Sequence, residues 1–289
     1  MSNSELDPRL LEITISIGAT TYVFNQEFSI RAQGTLFADQ LLDIAEVTIY
    51  NVDRVTQDYL LNATSPYTTN HETKSLMVKA GRKSYGLTLI YKGFILVSSI
   101  TQPPDIGMTF KCMSGINFSN TVYTISAPGL VNAAIYYKQL ATRMGANLRN
   151  EATNVPMVSN FSFTGTATQE LAYWNAFGNE TLFYKEGETN ILVVRDAFAY
   201  LTNTLRVVSE DTGMIGVPEW TELGVKVTFF IDAKTTIGGY IDINSKRYPT
   251  FNGRYGIYKL NFNLASRETP FYYIAEAARR ITAGEGYVP

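Results

Sequence analysis

The sequence is poor in the side chains that carry most enzyme chemistry. Its 289 residues include one cysteine, Cys112, and one histidine, His71. A disulfide within the chain is therefore impossible, and a zinc site built from Cys and His would need more ligands than these two. A Ser-His-Asp triad would have to use His71. We interpret His71 as a loop residue of the polar segment SPYTTNHETKS and Cys112 as a small core residue of TFKCMSG.

Charge and long apolar runs are also scarce. Charged residues make up 17% of the chain, against about 25% in ordinary soluble domains, which indicates that other subunits cover part of the surface. The formal net charge of -2 leaves no strong basic field for specific nucleic-acid binding. Lys92 interrupts the best apolar stretch, GLTLIYKGFILVSSI, so we predict no membrane span. The N-terminus MSNSELDPRL is polar and mixed in charge, so we expect no signal peptide and synthesis in a cytoplasm.

Motifs for phosphate binding, hydrolysis and metal-dependent proteolysis are missing. The sequence has no GxGxxG, Walker-type loop or GxSxG, and Ser75 stands where HExxH would need its second histidine. The densest acidic spots, Glu210-Asp211 and Glu186/Glu188, flank or precede glycines and predict turns. We therefore assign no catalytic, cofactor-binding or metal-binding residues, and no cofactor.

The first third of the chain predicts β structure. Leu11 to Ile17 alternate between apolar and polar residues, which is the period of a half-buried strand. The same pattern recurs in four further segments and in a closing one: EFSIRAQ, AEVTIYNV, SLMVKA, GLTLIYKGFILV and TFKCMSG. DRVTQDYLLNAT predicts a short helix from the spacing of Val55, Tyr59 and Leu60.

The middle changes period. A helical stripe beginning near Pro128 runs from Leu130 to Met144 and stops at Gly145. A second helix is predicted from Thr168, as N-cap, to Phe177, with Gly178 as its stop. We expect Leu171, Trp174 and Phe177 to form its buried face. TLFYKEGETNILVV predicts a hairpin.

The last third returns to strands. Four segments alternate or carry β-branched and aromatic residues: Leu205 to Val208, Val225 to Ile231, Tyr240 to Asn244 and Tyr255 to Asn263. Gly238-Gly239 and Asn252-Gly253 predict hairpin turns between them. FYYIAEAARRI predicts a short amphipathic helix, with Arg279-Arg280 on its polar side, before the tail AGEGYVP.

These patterns together predict a mainly β (α+β) chain without an exact sequence repeat. We place a first β module at residues 1–120, an α/β insert of two helices and a hairpin at residues 121–200, and a second β module with a C-terminal helix and tail at residues 201–289.

Several of these segments resemble baseplate hub proteins of contractile-tailed bacteriophages and related tailocins. The C-terminal resemblance lies in a Gly213 to Pro218 turn, the strand start Glu222 to Val227, the strand Gly239 to Ser245, and Asn252 to Ile257. At the N-terminus, AEVTIYNVDRVTQDYLL is similar to the strand that runs through Tyr-Asn into a short helix in this family and its tail-tube relatives. Phe230 to Lys234 depart from the family's Leu-Asn-Pro-x-Leu bend, because the proline is missing.

The resemblance implies a structural virion protein rather than an enzyme. Hubs of this family carry two tail-tube-like β-barrel modules and form a trimer, whose six modules join a sixfold tail tube to a threefold central spike. The implied partners are two further copies of the chain, the spike, tail-tube or tube-initiator proteins and other baseplate subunits, assembled in the host bacterial cytoplasm. A near-neutral chain suits a passage for DNA, since such a passage should not hold phosphates tightly. We favour the C-terminal block for spike contact.

Two alternatives stay open from the sequence. One is a sixfold tube initiator or distal tail ring protein, although the insert from Pro128 to Asp196 disfavours a simple tube subunit. The other is a carbohydrate-binding or cell-wall-degrading β protein, motivated by 19 tyrosines and two tryptophans. If the hub interpretation is right, the charge-poor faces should coincide with subunit interfaces.

Overall fold

A computed structural model describes residues 7–38, 43–65, 67–69, 72–115, 121–177, 179–186, 189–196 and 205–279. The N-terminal block contains seven strands and one helix. They are β1 (Arg9–Ile17), β2 (Thr20–Phe24), β3 (Ser29–Phe37), β4 (Ile44–Tyr50), α1 (Arg54–Thr64), β5 (Lys74–Arg82), β6 (Gly86–Ile100) and β7 (Gly107–Met113). All the strands and the helix predicted for this block are confirmed, and β2 was not predicted. Cys112 is 2% exposed, so its assignment to the core is confirmed.

The middle block has two small sheets and two helices. Its elements are β8 (Tyr123–Asn132), α2 (Ala134–Arg143), β9 (Ala146–Asn150), β10 (Met157–Gly165), α3 (Ala167–Asn175), β11 (Asn179–Glu186) and β12 (Thr189–Asp196). The predicted hairpin is confirmed as β11 and β12, which pair antiparallel, and β9 adds to β12 in parallel.

The regular elements in the described part of the C-terminal block, residues 205–279, are strands and short 3-10 turns. Its strands are β13 (Leu205–Val208), β14 (Met214–Thr221), β15 (Gly224–Phe230), β16 (Tyr240–Ile243), β17 (Gly253–Ala265) and β18 (Phe271–Ala278). The mainly β fold class is confirmed.

A single 13-stranded sheet runs through both terminal blocks, in the order β14-β15-β18-β17-β3-β4-β7-β6-β5-β1-β2, with β16 and β13 branching from β17. The blocks are joined where β17 pairs antiparallel with β3, from Lys259 opposite Phe37 to Ala265 opposite Arg31. These two β blocks are therefore continuous through main-chain hydrogen bonds.

The strand order repeats along this sheet. In the first block the order is β3-β4-β7-β6, and β5 pairs with the first half of the long strand β6. In the last block the order is β14-β15-β18-β17, and β16 pairs with the first residues of the long strand β17. In each block a first hairpin (β3-β4 or β14-β15), a single strand (β5 or β16) and a second hairpin (β6-β7 or β17-β18) thus take the same places in the sheet. The sequence contains no exact repeat that would predict this.

The buried apolar residues form two clusters. The larger cluster draws on both terminal blocks, and the smaller one fills the middle block around Tyr137, Leu140 and Trp174. Strand β12 belongs to both, because Ile191 and Val193 lie in the large cluster whereas Leu192 and Val194 lie in the small one.

The helix predicted from Pro128 is wrong in its first turn. Pro128 and Leu130 belong to β8, which pairs with β10, and the helix begins only at Ala134. Leu130 is exposed, whereas Tyr137 and Leu140 are buried as predicted. Pro128 is tolerated because β8 is an edge strand of a two-stranded sheet, where a missing N–H removes no required bond.

The predicted N-cap of the second helix is also wrong. Thr166, not Thr168, is the cap of α3: its hydroxyl accepts a hydrogen bond from the Gln169 N–H (3.3 Å), and the Gln169 side chain accepts one from the Thr166 N–H (2.9 Å). This reciprocal capping box satisfies two N–H groups at the helix start. Leu171 and Trp174 are buried as predicted, but Phe177 is exposed. Gly178 lies outside the described residues.

The C-terminal helix predicted for FYYIAEAARRI is wrong, since this segment is strand β18. It pairs with β15 on one side and β17 on the other. Phe271, Tyr273, Ala275 and Ala277 are buried, which is the alternation of a strand. Two ladders of main-chain hydrogen bonds override the helix preference of alanine and glutamate. Arg280 and the tail lie outside the described residues.

Two predicted turns differ as well. Asn252-Gly253 is not a two-residue hairpin turn, because a 3-10 turn at Pro249–Phe251 precedes it and Gly253 already begins β17. The segment from Met214 to Pro218 belongs to strand β14, with a bulge between Ile215 and Glu219. The turn predicted at Glu210-Asp211 is confirmed as the 3-10 turn Glu210–Thr212. His71 and Glu188 lie outside the described residues.

Candidate assembly surfaces

The ionisable groups buried inside the described chain serve structure. Glu170 is 0% exposed; it accepts hydrogen bonds from the Tyr123 hydroxyl (2.5 Å) and the Trp174 indole N–H (3.1 Å), and Arg143 lies 3.4 Å from it. These contacts fix α3 against α2 and β8. Burial raises the pKa of the Cys112 thiol to about 12, so the thiol stays protonated at neutral pH. Within the described ranges, no three His, Cys, Asp or Glu residues are grouped to hold a metal ion.

Arg195 ties the insert to the C-terminal block. It is 3% exposed and its guanidinium contacts the Glu180 carboxylate through two nitrogens, at 3.1 and 2.9 Å. The same side chain donates to the Gly238 carbonyl oxygen at 3.4 Å. Because Gly238 precedes β16, this contact and the shared strand β12 hold the insert in one position relative to the large sheet.

One face of the large sheet is polar and its charges are matched across strands. On β15, β18 and β17 a row places Glu276 directly opposite Lys226 on one side and Lys259 on the other, with 2.8 Å between Lys259 Nζ and Glu276 Oε1. Glu46 lies opposite Lys111 in the same way. Opposite charges directly across strands attract, and like charges in these positions would repel. The face therefore combines polarity with local charge balance.

Neutral amide and hydroxyl side chains occupy the centre of this face. The Thr35 hydroxyl donates to the Asn261 side-chain oxygen at 2.7 Å across the junction of β3 and β17. Thr35 and Asn261 line an open concavity of about 520 Å³. The amide side chains of Gln33 and Asn263 and the apolar Ile274 also line it. Sequence inspection missed this row, because its members became neighbours only through the pairing of β17 with β3.

The strand edges of the large sheet that have no strand partner among the described residues include the outer sides of β2 and β13 and two further edges. One is the outer side of β14, the first strand of the sheet order. The other is the second half of β6, because its pairing with β5 ends at Phe94 while its pairing with β7 continues to Ile100. Such edges present free N–H and C=O groups, which other chains can bind.

Apolar side chains are exposed at both of these edges. Leu96, Val97 and Ile100 are exposed on β6. Trp220, on β14, is 57% exposed and packs tilted against the Phe251 ring, with 4.7 Å between centroids and 34° between the ring planes, and Leu223 follows it in the turn to β15. Trp220 was assigned to no element, because it lies between the predicted turn Gly213 to Pro218 and the predicted strand start Glu222 to Val227.

The insert carries a further exposed apolar group. Leu130, Ile135 and Met157 are all about half exposed or more, and Met157 lies opposite Asn132 at the end of the two-stranded sheet. None of the helices in the described part of the chain has the length and hydrophobicity needed to cross a bilayer.

Comparison with solved structures places the fold among tail proteins. A tail protein from Neisseria meningitidis MC58 superimposes with a TM-score of 0.62 at 11% identity, over 93% of this chain and 96% of that one. An Escherichia coli component of the type VI secretion system, c3393, which is described as structurally similar to the T4 bacteriophage tail proteins gp27 and gp5, gives 0.61 at 9% identity over 95% and 79% of the two chains. A 43 kDa tail protein of prophage MuSo2 from Shewanella oneidensis gives 0.59 at 8% identity over 93% and 98%.

Comparison by sequence is more specific. No curated protein matches the chain. The family model described as baseplate hub gp41, however, matches residues 10–277, which include both β blocks and the insert. The chain belongs to the baseplate hub gp41 family, and is thus a structural protein of the phage tail.

Proposed function

We propose that the chain forms a homotrimeric ring that joins a sixfold tail tube to a threefold central spike in a contractile-tail baseplate. The strand order β3-β4-β7-β6, repeated as β14-β15-β18-β17 within one sheet, carries this proposal. Each chain supplies two equivalent sheet units, so three chains supply six, which matches a sixfold tube while keeping threefold symmetry. We propose modules at residues 1–120 and 201–289 and an insert at residues 121–200.

The polar face of the sheet suits the wall of the central passage. Its row of Glu219, Lys226, Glu276 and Lys259 alternates two carboxylates with two cations. DNA affinity grows with the number of cations that can neutralise phosphates. A passage lined by matched charges and neutral amides would therefore let a polyanion move without holding it.

The partners follow from the two ends of such a ring. One end would contact tail-tube or tube-initiator subunits and the other the spike, for which we favour the C-terminal block, and the exposed insert would contact other baseplate subunits. Assembly would take place in the cytoplasm of the host bacterium. We assign the chain a structural role and no catalytic one, because it belongs to a family of baseplate hub proteins.

Counting subunits tests the proposal directly. Mass measurement of the purified full chain, or class averages of the assembled baseplate by electron microscopy, should give three copies per ring. A ring of six would instead present twelve sheet units and would identify a tube-initiator or distal tail ring protein. A strictly monomeric chain that is absent from tail particles would contradict the hub assignment.

A further inference from the structure

The repeated strands can be aligned residue by residue through their pairing registers. Glu46 lies opposite Lys111 and Lys226 lies opposite Glu276, so β4 corresponds to β15 and β7 to β18. On this alignment the sequence EVTIY at 46–50 corresponds to KVTFF at 226–230. Val47 and Val227 are both buried, as equivalent positions should be.

A bulge fixes the alignment of the two long strands. Strand β6 has a register shift against β7 between Ile95 and Val97. Strand β17 has one against β18 between Ile257 and Lys259. Bulges are specific features that bend a strand at a defined place, so their coincidence puts Val97 in the place of Lys259 and Ile100 in the place of Phe262.

The two units differ in what lies beyond the bulge. After its bulge, β17 pairs with β3 of the other unit. After its own bulge, β6 has no further strand partner besides β7 among the described residues. The counterpart of β3 is β14, whose outer side is likewise without a described strand. Each chain thus contains one complete junction and the two separated halves of a second.

We propose that the free edge of β6 pairs antiparallel with β14 of a second copy of this chain, in the register of β17 with β3. The internal pair Asn261–Thr35 then corresponds to Ser99 opposite Thr221 of the next copy, and the pair Phe262–Gly34 corresponds to Ile100 opposite Trp220. Because each copy offers one β6 edge and one β14 edge, the contact is heterologous, and it closes into a ring when the rotation between successive copies is a whole fraction of a turn. The number of copies in that ring rests on the proposed function.

The side chains at the two edges match this register. At the internal junction, the Phe262 ring packs against Gly34, where a Cβ would lie 2.4 Å from its Cζ. In the proposed junction the ring is contributed by the other strand, as Trp220, and the smaller partner is Ile100, which is 42% exposed in the single chain. At the internal junction the Thr35 hydroxyl donates a hydrogen bond to the Asn261 side chain. At the equivalent position of the proposed junction, Ser99 and Thr221 place two hydroxyls opposite each other. Exposed apolar residues on a free edge are an aggregation hazard unless such pairing covers them.

Engineered cysteines test the register in the full chain. Directly opposite residues have Cα atoms about 4.5–5.5 Å apart, within the range that a disulfide bridges. The variant Ser99→Cys/Thr221→Cys should form covalent oligomers under mild oxidation, seen by non-reducing electrophoresis. The buried Cys112 gives a low background, which the unmodified chain and each single variant measure. The control Ser98→Cys/Thr221→Cys shifts the register by one residue and should cross-link weakly.

The outcomes separate this pairing from the proposed function. A covalent ladder that ends at three copies supports both, and one that ends at another number supports the pairing but contradicts the trimer. An oligomer by mass that the matched pair fails to cross-link contradicts the pairing alone, and a chain that stays monomeric contradicts both.

A variant without added cysteines tests the pairing independently, in case the cysteines disturb the local fold. Trp220→Ala should weaken association about 30-fold, the loss expected for a tryptophan at the centre of an interface. Val23→Ala removes an exposed apolar residue from β2, outside both edges, and should leave association unchanged. Equal association of these two variants, measured by dilution, would overturn the proposed pairing.

Discussion

Ile191 and Leu192 are neighbours on β12, yet they pack into different hydrophobic cores. Ile191 belongs to the cluster shared by the two terminal β blocks, and Leu192 lies in the cluster of the insert. Because β12 is buried on both faces, it contacts both hydrophobic cores. The insert therefore packs against the large sheet through a shared strand and does not form a separate lobe.

Leu192→Ala should destabilise the whole chain. Leu192 is fully buried, and truncating such a leucine costs about 2–5 kcal/mol in unfolding free energy. Because β12 contributes to both cores, we expect insert and sheet to unfold together. In a Trp220→Phe background, Trp174 fluorescence reports the insert core, and far-UV circular dichroism reports mainly the large sheet. Both denaturant midpoints should fall together.

Thr189→Ala, at an exposed position on the same strand, is the matched control and should leave both midpoints unchanged. If Leu192→Ala lowers the fluorescence midpoint and leaves the circular dichroism transition in place, the insert is an independent folding unit.

Local sequence patterns predicted the strands and helices that bury one side and expose the other. The alternation in β1 and the helical stripe through Tyr137 and Leu140 both reflect one buried side; the first was predicted correctly, and the second correctly from Ala134 onward. Strand β18 was mistaken for a helix because Ala275 and Ala277 favour helices in isolation, while one of its two neighbouring strands, β15, lies far from it in the sequence. Pairing across such distances leaves no local signature.

The assembly surfaces show the same limit more strongly. The exposed Trp220 edge and the row containing Thr35 and Asn261 exist only because β14 and β17 take particular places in the sheet order. The similarity between residues 46–50 and 226–230 becomes meaningful only once both strands have the same register. A shortage of charge indicated covered surface, but only topology indicates which edges could be covered.

Glu210 should give the chain an acid-sensitive turn. Its carboxylate accepts hydrogen bonds from the Ser245 hydroxyl (2.7 Å) and the Lys246 N–H (3.1 Å). These hydrogen bonds lower the pKa of Glu210 from 4.5 to about 2. A lowered pKa in the folded state stabilises the fold above the unfolded value, and this contribution is lost as pH falls through the folded value. Glu210→Gln should therefore lower Tm at pH 7 and lower it progressively less from pH 4.5 to pH 2.

The neighbouring Asp211 supplies the comparison. Its carboxylate pairs with Lys246 at 2.5 Å on an exposed surface, where ion pairs contribute little. Asp211→Asn should change Tm less at pH 7 than Glu210→Gln does. A Tm difference between Glu210→Gln and the unmodified chain that is constant from pH 7 to pH 2 would contradict the assigned role.

Glu276→Lys should turn an attractive row into a repulsive one. Glu276 lies directly between Lys226 and Lys259, so the change would place three cations in adjacent strands. Opposite charges directly across strands stabilise a sheet by about 0.2–1 kcal/mol per pair, and like charges in these positions destabilise it. The loss should shrink in 1 M salt, where the screening length is about 3 Å. Glu276→Gln removes attraction without adding repulsion, so it should cause a smaller loss of stability that depends less on salt. Equal losses and equal salt dependence in the two variants would argue against charge matching on this face.

Gly34→Ala should weaken the junction between the two β blocks. A Cβ at this position would lie 2.4 Å from Phe262 Cζ and 2.5 Å from the Ile44 carbonyl oxygen, closer than real Cβ contacts come. The ring can move, but the carbonyl belongs to the paired strand β4, so the strands themselves must shift. Overpacking of this kind costs about 1–3 kcal/mol in unfolding free energy, and hydrogen exchange should rise at the amides of β3 and β17. Gln33→Ala, one residue away on the opposite, exposed face, should leave both measurements near those of the unmodified chain. If Gly34→Ala lowers stability without faster exchange in β3 and β17, the strain is relieved within β4 and the junction is not its origin.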